Sequence, residues 1–203
     1  MLIIGLCGTS GSGKGYVCQR FKDYGVEYID TDKVYSTRIV VAGSKCLLEL
    51  CDFFGKEILK PDGSLDRAVL SSRVFEGENA QKNLKALNEI THKYIKIDVQ
   101  KTLEENKQRG VSATLIDAPV LFESGFDSMC DITICVTAST KTKLERIMKR
   151  DGISYERAIA RIQSQLTNER LRELCTYEIE NDDGCDLDGQ ILSILKKLSL
   201  IGE

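Results

Sequence analysis

The hydrophobic positions of the chain follow two alternating periods, which predict an α/β fold. Short apolar runs typical of buried strands occur at 2–7, 26–29, 112–116, 131–136 and 176–180. Between most of these runs, apolar residues recur at spacings of three and four, as they do on amphipathic helices. Strands that alternate with helices form an open sheet covered by helices. The pattern therefore predicts an α/β protein with an open sheet.

The second and third runs are separated by a long stretch, residues 33–110, whose pattern is almost wholly helical. It contains a turn at 61–64 and a long helix expected from about 79 to 108. A helical insertion of this length on the crevice side of the sheet is a place to bind an acceptor. We therefore expect a core formed by 1–32 and 111–203, with 33–110 as a helical insert.

Residues 8–15, Gly-Thr-Ser-Gly-Ser-Gly-Lys-Gly, lie between the first strand and a helix, with the spacing of a phosphate-binding loop. In this glycine loop, the absence of Cβ atoms lets successive backbone N–H groups face a phosphate. The helix N-terminus adds partial positive charge, and Lys14 adds a mobile charge for the terminal phosphates. The loop predicts binding of a nucleoside triphosphate. The residues expected to contact it are Gly11, Ser12, Gly13, Lys14, Gly15 and Tyr16.

The glycine loop departs from the usual pattern directly after its lysine. A Ser or Thr normally stands there, and its hydroxyl binds Mg²⁺. Gly15 has no side-chain oxygen, and the other hydroxyls of the loop point elsewhere from their positions. We expect a water in place of the hydroxyl, with the metal held by nucleotide phosphates and, through water, by Asp32 and Asp117.

Acidic residues follow two of the strands. Asp30 and Asp32 end the second strand, at the edge of the sheet that carries the glycine loop. Either can accept a proton from a hydroxyl, hold metal through water, or cap a helix expected to begin at Lys33, and their spacing leaves these roles open. Asp117 ends the third strand and is expected on the metal side, with a loop-capping role as the alternative.

Residues 141–161 carry seven basic side chains against three acidic ones. Arg146 and Arg150 are four residues apart and therefore lie on one helix face, and Gly152 separates two helices. A basic helical hairpin here, about 141–165, predicts a lid that closes arginines over phosphates. A solvated helix face explains the lysines of this segment well, and the paired arginines less well.

Composition narrows the classes of function. The 203 residues contain 28 Lys and Arg against 31 Asp and Glu, and this net charge of -3 gives no reason to expect nucleic-acid binding. Neither a signal peptide nor a membrane-length apolar run is present, so we expect a cytoplasmic protein, monomeric or weakly oligomeric. The eight cysteines include no C-x-x-C pair. They are expected to be reduced thiols in the core, with zinc binding or disulfides as alternatives.

Beyond the glycine loop, the chain resembles the dephospho-coenzyme A kinase family along nearly its whole length. The Pro-Asp-Gly-Ser-Leu-Asp-Arg run at 61–67 and the Leu-Phe-Glu run at 121–123 are more specific than the loop, which many kinases share. The segments that carry the resemblance are 8–14, 29–32, 54–55, 58–59, 61–67, 117–123, 144–146, 150–152, 161–162, 165 and 181.

The resemblance implies transfer of the γ-phosphoryl group of ATP, with Mg²⁺, to the ribose 3′-hydroxyl of dephospho-coenzyme A. It implies a P-loop kinase with a parallel five-stranded sheet flanked by helices, a helical acceptor-binding insert and a basic helical lid. Asp32 matches the general base, while Lys14, Arg146 and Arg150 match catalytic cations and Asn181 matches an adenine contact. The residues on the acceptor side are then Asp30, Arg67, His92, Leu121, Phe122, Glu123 and Arg161.

Three positions depart from the family pattern. The family usually has Ser at Gly15, Pro at Lys93 and Asp at Glu180, and only the first departure touches the chemistry. Two alternatives stay open: a nucleotide-binding paralogue without catalysis, and a kinase of the same fold with another nucleotide acceptor. The retained carboxylates, the loop lysine and the paired arginines favour catalysis, and the 61–67 run favours dephospho-coenzyme A.

Overall fold

The computed structural model describes residues 1–202 and contains a five-stranded parallel sheet, as predicted. The sheet order is β2-β3-β1-β4-β5, so the strand that precedes the glycine loop is central. β1 pairs in parallel with β3 and with β4. The strands are β1 (Leu2–Gly8), β2 (Glu27–Asp30), β3 (Ala113–Asp117), β4 (Ile132–Thr137) and β5 (Tyr177–Glu180).

Helices connect these strands, and α8 is the one that the sequence pattern does not predict. A π-helix, Tyr35–Ile39, continues directly from α2, and short 3₁₀ turns occur at Lys56–Ile58 and Asp127–Met129. The α-helices are α1 (Lys14–Asp23), α2 (Thr31–Val34), α3 (Lys45–Phe54), α4 (Arg67–Phe75), α5 (Ala80–Gln108), α6 (Thr140–Asp151), α7 (Tyr155–Gln163), α8 (Asn168–Leu174) and α9 (Leu187–Lys197). Among residues 1–202, none of these helices combines the length and apolarity needed to cross a membrane.

The main hydrophobic core lies around β1. Ile4 and Leu6 are 0% exposed, because a central strand of a parallel sheet is covered on both faces. Phe21 of α1 and Ile191 of α9 belong to the same cluster. Burying each such side chain contributes about 1.5–3 kcal/mol, and this anchors the end of β1 from which the glycine loop begins.

The chain divides into two compact units, residues 1–29 with 106–203 and residues 30–105. In the second unit, α5 runs unbroken from Ala80 to Gln108 through Lys93, where the resemblance noted from the sequence implies a proline. A proline at that position would remove a helix hydrogen bond and kink the helix. Lys93 instead donates to both carboxylate oxygens of Glu49 on α3, at 2.8 and 2.5 Å, and Tyr94 donates to the same carboxylate at 2.7 Å. This departure therefore joins α3 to α5.

All eight cysteines lie within residues 1–202 and are thiols. Cys7, Cys135 and Cys175 are neighbours, with 3.6 Å between the sulfurs of Cys7 and Cys175. The bond with Cys135 lowers the pKa of Cys175, but the bond with Cys7 and burial outweigh it and raise that pKa to about 12. The bond with Cys175 together with burial raises the pKa of Cys135. Such thiols are poor nucleophiles. Across the described residues 1–202, no group of three or more His, Cys, Asp or Glu side chains is placed to hold a metal ion.

Candidate active site

The glycine loop follows β1 and ends at α1, and two of its glycines have backbone conformations that other residues rarely adopt. Gly11 and Gly13 have φ values of +80° and +83°. A Cβ at Gly11 would lie 2.7 Å from the carbonyl oxygen of Lys143, and one at Gly13 would collide with the amide of Asn181. Conformation and packing therefore both require glycine here.

Ser12, Gly15 and Tyr16 differ in their exposure to solvent. Ser12 is fully buried, backbone and side chain alike. Tyr16, in the first turn of α1, is 60% exposed. An added Cβ at Gly15 would have no atom within 4 Å, so the position that lacks a hydroxyl faces open space.

Lys14, the first residue of α1, forms an ion pair with Asp117 at the end of β3. Both side chains are largely buried, with 15% and 9% of their surfaces exposed. The pairing of β3 with β1 places Asp117 opposite Leu6, two residues before the loop begins. The thiol of Cys18 donates to the second carboxylate oxygen at 3.4 Å. Adjacent parallel strands thus bring the loop lysine and the strand-end carboxylate together.

Arg146 of α6 is bound to the glycine loop and to the end of β5. Its guanidinium donates to the carbonyl oxygen of Asn181 at 2.9 Å and to that of Gly11 at 3.4 Å, and lies 3.4 Å from a carboxylate oxygen of Asp183. The Asn181 amide donates to the carbonyl oxygen of Ser12 at 2.8 Å. The side-chain amide of Asn181 therefore holds the loop, a contact that its sequence position does not reveal.

Arg150 and Arg161, the other two arginines named within the basic segment, both bind Asp151. Arg150 donates from Nε at 2.7 Å and from Nη2 at 2.9 Å to the two carboxylate oxygens, and Arg161 forms a second ion pair with the same group. The hydrogen bonds from Arg150, reinforced by Arg161, lower the pKa of Asp151 to about 2. α6 and α7 pack together through Leu144, Ile147 and Ala158. These arginines are exposed at the end of the α6–α7 hairpin.

Lys143 is a residue of this site that sequence reasoning missed. A solvated helix face accounts for the exposed lysines of the basic segment, but it is wrong for Lys143, which is 4% exposed. Its ammonium donates to Asn168 Oδ1 at 3.1 Å and to Thr9 Oγ1 at 3.5 Å. The signal was its spacing, because Lys143 precedes Ile147 by four residues and so shares the apolar face of α6.

In the second unit, the acids that follow β2 have different positions. The Asp30 carboxylate accepts a hydrogen bond from the Lys33 backbone N–H at 2.8 Å and is the N-cap of α2. α2 begins at Thr31, not at Lys33, so the alternative in which Asp32 caps the helix is wrong. Asp32 lies in the first turn with an exposed side chain.

Two acceptor-side residues named from the sequence also belong to the second unit. Arg67 is the first residue of α4, and its guanidinium lies 5.6 Å from the ring centre of Tyr35, where the π-helix begins. Burial raises the pKa of Tyr35. Single-turn π-helices occur frequently at functional sites. His92 is partly buried on α5. Its pKa is lowered mainly by burial and to a smaller extent by the positive charge of Lys96.

The segment after β3 contributes to a cavity beside the glycine loop. Leu121, named from the sequence as an acceptor-side residue, is 0% exposed and belongs to the core. Phe122 is partly buried and Glu123 is exposed. A cavity of about 280 Å³ is lined by Thr9, Glu123 and Gln165, among others.

The chain matches known proteins over most of its length. A family model described as dephospho-CoA kinase matches residues 2–186. The chain is 37% identical over 203 residues to a dephospho-CoA kinase of Bacillus cereus, with 98% of each chain covered. It is 40% identical over 166 residues to the dephospho-CoA kinase of Moorella thermoacetica, a match that covers 81% of this chain and 76% of that one.

Solved structures support the fold. A structure from Thermus thermophilus matches with a TM-score of 0.80 at 27% identity, and the match covers 99% of this chain and 98% of that one. A dephospho-CoA kinase from Campylobacter jejuni matches with a TM-score of 0.61 at 22% identity over 97% and 96% of the two chains, which bears on the fold alone. The fold is that of a P-loop kinase, as predicted. The chain belongs to the dephospho-CoA kinase family.

Proposed function

We propose that this protein transfers the γ-phosphoryl group of ATP to the ribose 3′-hydroxyl of dephospho-coenzyme A, giving coenzyme A and ADP. The observation that carries the proposal is the glycine loop on the central strand, with Lys14 held by Asp117 at the adjacent strand end. Family membership supports the choice of acceptor.

The nucleotide half of the reaction follows from the loop. Backbone N–H groups of the loop and the N-terminus of α1 stabilise negative charge on the phosphates. Lys14 exchanges Asp117 for phosphate oxygens when ATP binds, so its ammonium keeps an anionic partner in both states. Because the site is partly buried, this pairing is stronger than one in bulk water.

The residues present fit a Mg²⁺ ion that arrives with the nucleotide. The structure offers open space at Gly15, and within residues 1–202 it has no cluster of side chains that would hold a metal by itself. Mg²⁺ readily keeps several water ligands and binds through phosphates and one or two carboxylates. Asp32 and Asp117 would hold it through water. Bound Mg²⁺ neutralises charge that develops on the transferring phosphoryl group.

Asp32 is the proposed general base. Its neighbour Asp30 is the N-cap of α2, and Asp32 lies in the first turn of that helix with an exposed side chain. A carboxylate of this kind accepts the proton of the attacking hydroxyl. Arg67 and His92 are proposed to contact the acceptor, as are Phe122, Glu123 and Arg161.

The proposal is tested by ADP release with Mg·ATP and dephospho-coenzyme A, with the phosphorylated position read by ³¹P NMR. Asp32→Asn should lower kcat by about 10²-fold or more. Asp30→Asn is the matched comparison and should do less, because Asn caps a helix as well as Asp does. Turnover with another nucleotide acceptor but not with dephospho-coenzyme A would contradict the proposed acceptor. ATP binding without turnover would support the non-catalytic alternative.

The metal ligand missing at Gly15 is tested by restoring it. Gly15→Ser should need less free Mg²⁺ than wild type to reach half-maximal rate, because the serine hydroxyl replaces a water. Gly15→Ala is the matched control, since it fills the same open space without an oxygen. Equal Mg²⁺ requirements for the serine variant and wild type would mean that another ligand already occupies this place.

A further inference from the structure

Lys143 places a buried ammonium group behind the glycine loop. The two contacts of its Nζ, to Asn168 Oδ1 at 3.1 Å and to Thr9 Oγ1 at 3.5 Å, are with uncharged oxygens. Within residues 1–202, Lys143 forms no ion pair, and Glu169 and Asp182 act on it only at longer range. The charge is therefore buried without a direct counter-charge.

Such an arrangement is costly for the ligand-free protein. A charged group removed from water without an ionic partner is destabilising, and burial accordingly lowers the pKa of Lys143. Replacing buried charges by neutral groups of similar size is often neutral or stabilising. A buried ammonium is consistent with a ligand that brings negative charge to the opposite side of the loop.

The backbone packing places this charge against the loop itself. A Cβ added to Gly11 would lie only 2.7 Å from the carbonyl oxygen of Lys143. The backbone of α6 is therefore so close to the loop backbone that no side chain fits between them. Thr9, which accepts the hydrogen bond from Lys143, is itself buried. One contact from the ammonium and one from the backbone thus join Lys143 to the loop.

We propose that Lys143 is a positioning residue for nucleotide binding, which holds Thr9 from behind the glycine loop and supplies fixed positive charge beneath the triphosphate. The inference rests on the nucleotide half of the proposed function. Lys143 differs from Lys14, which is paired with Asp117 and has to exchange partners. The fixed charge favours ATP over ligands with fewer phosphates.

Three variants test this assignment. Lys143→Gln keeps hydrogen-bond donors but removes the charge, and Lys143→Met removes both. Lys141→Gln, on the exposed face of the same helix, is the control with the same change in net charge. Binding of ATP, ADP and adenosine is measured by calorimetry, and the Tm of each ligand-free variant by thermal unfolding.

For Lys143→Gln we expect the Kd for ATP to rise about tenfold. The variant loses one positive charge near the triphosphate, and the attraction between the two is only partly screened. The Kd for ADP should rise less, the Kd for adenosine should not change, and the Tm should not fall. Lys143→Met should bind ATP no better than Lys143→Gln, and Lys141→Gln should match wild type.

Two results would overturn the inference. ATP affinity in Lys143→Gln equal to that of wild type would exclude a role for the charge. Equal losses for ATP, ADP and adenosine with a lower Tm would show that Lys143 supports the fold and not the phosphates. A wild-type protein that binds no ATP would instead overturn the proposed function, and this inference with it.

Discussion

The two ends of α6 differ in burial: one packs against the glycine loop and the other is exposed to solvent. At its start, Lys143 and Ile147 are buried beside the glycine loop, whereas Lys149 and Arg150 near its end are exposed. The basic segment that the sequence predicts as one lid therefore contains two kinds of cation. Lys143 contacts the glycine loop, whereas Arg150 is paired on the surface with Asp151.

Arg146 and Arg150 show what this difference means for function. Arg146 donates to backbone carbonyls of Gly11 and Asn181, bonds that maintain the loop before any ligand binds. Arg150 donates to Asp151, an ion pair in which phosphate oxygens can replace the carboxylate. We propose that Arg146 contributes to nucleotide binding and turnover, while Arg150 contributes mainly when charge develops on the transferring group.

The largest effect is expected from Arg146→Ala. Loss of its bonds leaves the Asn181 amide as the remaining link between the loop and the end of β5. Both ATP affinity and kcat should therefore fall, with kcat/KM for ATP lower by about 10²-fold or more. Arg146→Lys should restore little of the loss, because an ammonium lacks the planar set of donors that reaches both carbonyls. An unchanged Kd for ATP in Arg146→Ala would mean that Arg146, like Arg150, acts mainly when charge develops on the transferring group.

A smaller and more selective effect is expected from Arg150→Ala. We expect kcat to fall about tenfold while the Kd for ATP stays near its wild-type value, since the interaction forms only as the phosphoryl group is transferred. Lys149→Ala, which removes a neighbouring exposed charge, is the control and should have little effect. Parallel losses of ATP affinity and kcat in Arg150→Ala would indicate ground-state binding.

The smallest effect concerns Asp151 itself. Its lowered pKa means that the pairs with Arg150 and Arg161 stabilise the folded protein fully above the ordinary carboxyl pKa of about 3.9. That stability is lost as the pH falls toward about 2. In Arg150→Ala, ¹³C NMR of the carboxyl group should show a higher pKa, because the partner with the largest effect is gone. A pKa unchanged in that variant would assign the lowering to Arg161.

Much of the fold could be predicted from the sequence, because its signals are local. Five apolar runs and the spacing of Gly8, Gly13 and Lys14 identify the strands and the loop from neighbours along the chain. The place of Asp117 near the glycine loop also follows, since carboxyl ends of parallel strands meet at one edge of a sheet. Its ion pair with Lys14 is a finding of the structure.

The remaining features depend on contacts between distant segments. The spacing of Lys143 and Ile147 places both on one face of α6, but that this face packs against the glycine loop depends on a contact between distant segments. Asn181 is turned toward Ser12, a contact between residues 169 positions apart. The choice of Asp30 over Asp32 as the cap depends on where α2 begins, and helix starts are uncertain by one or two residues when acids stand on both sides.

The division of α6 is tested most directly by hydrogen–deuterium exchange of the wild-type protein with and without ATP. Without ligand, residues 143–147 should exchange slowly, because they are packed against the loop, and 148–161 should exchange faster. ATP should slow exchange at 148–161 and leave 143–147 nearly unchanged. A uniform change over 141–161 would show that the whole basic segment closes as one body, and would contradict a fixed loop-side half of α6.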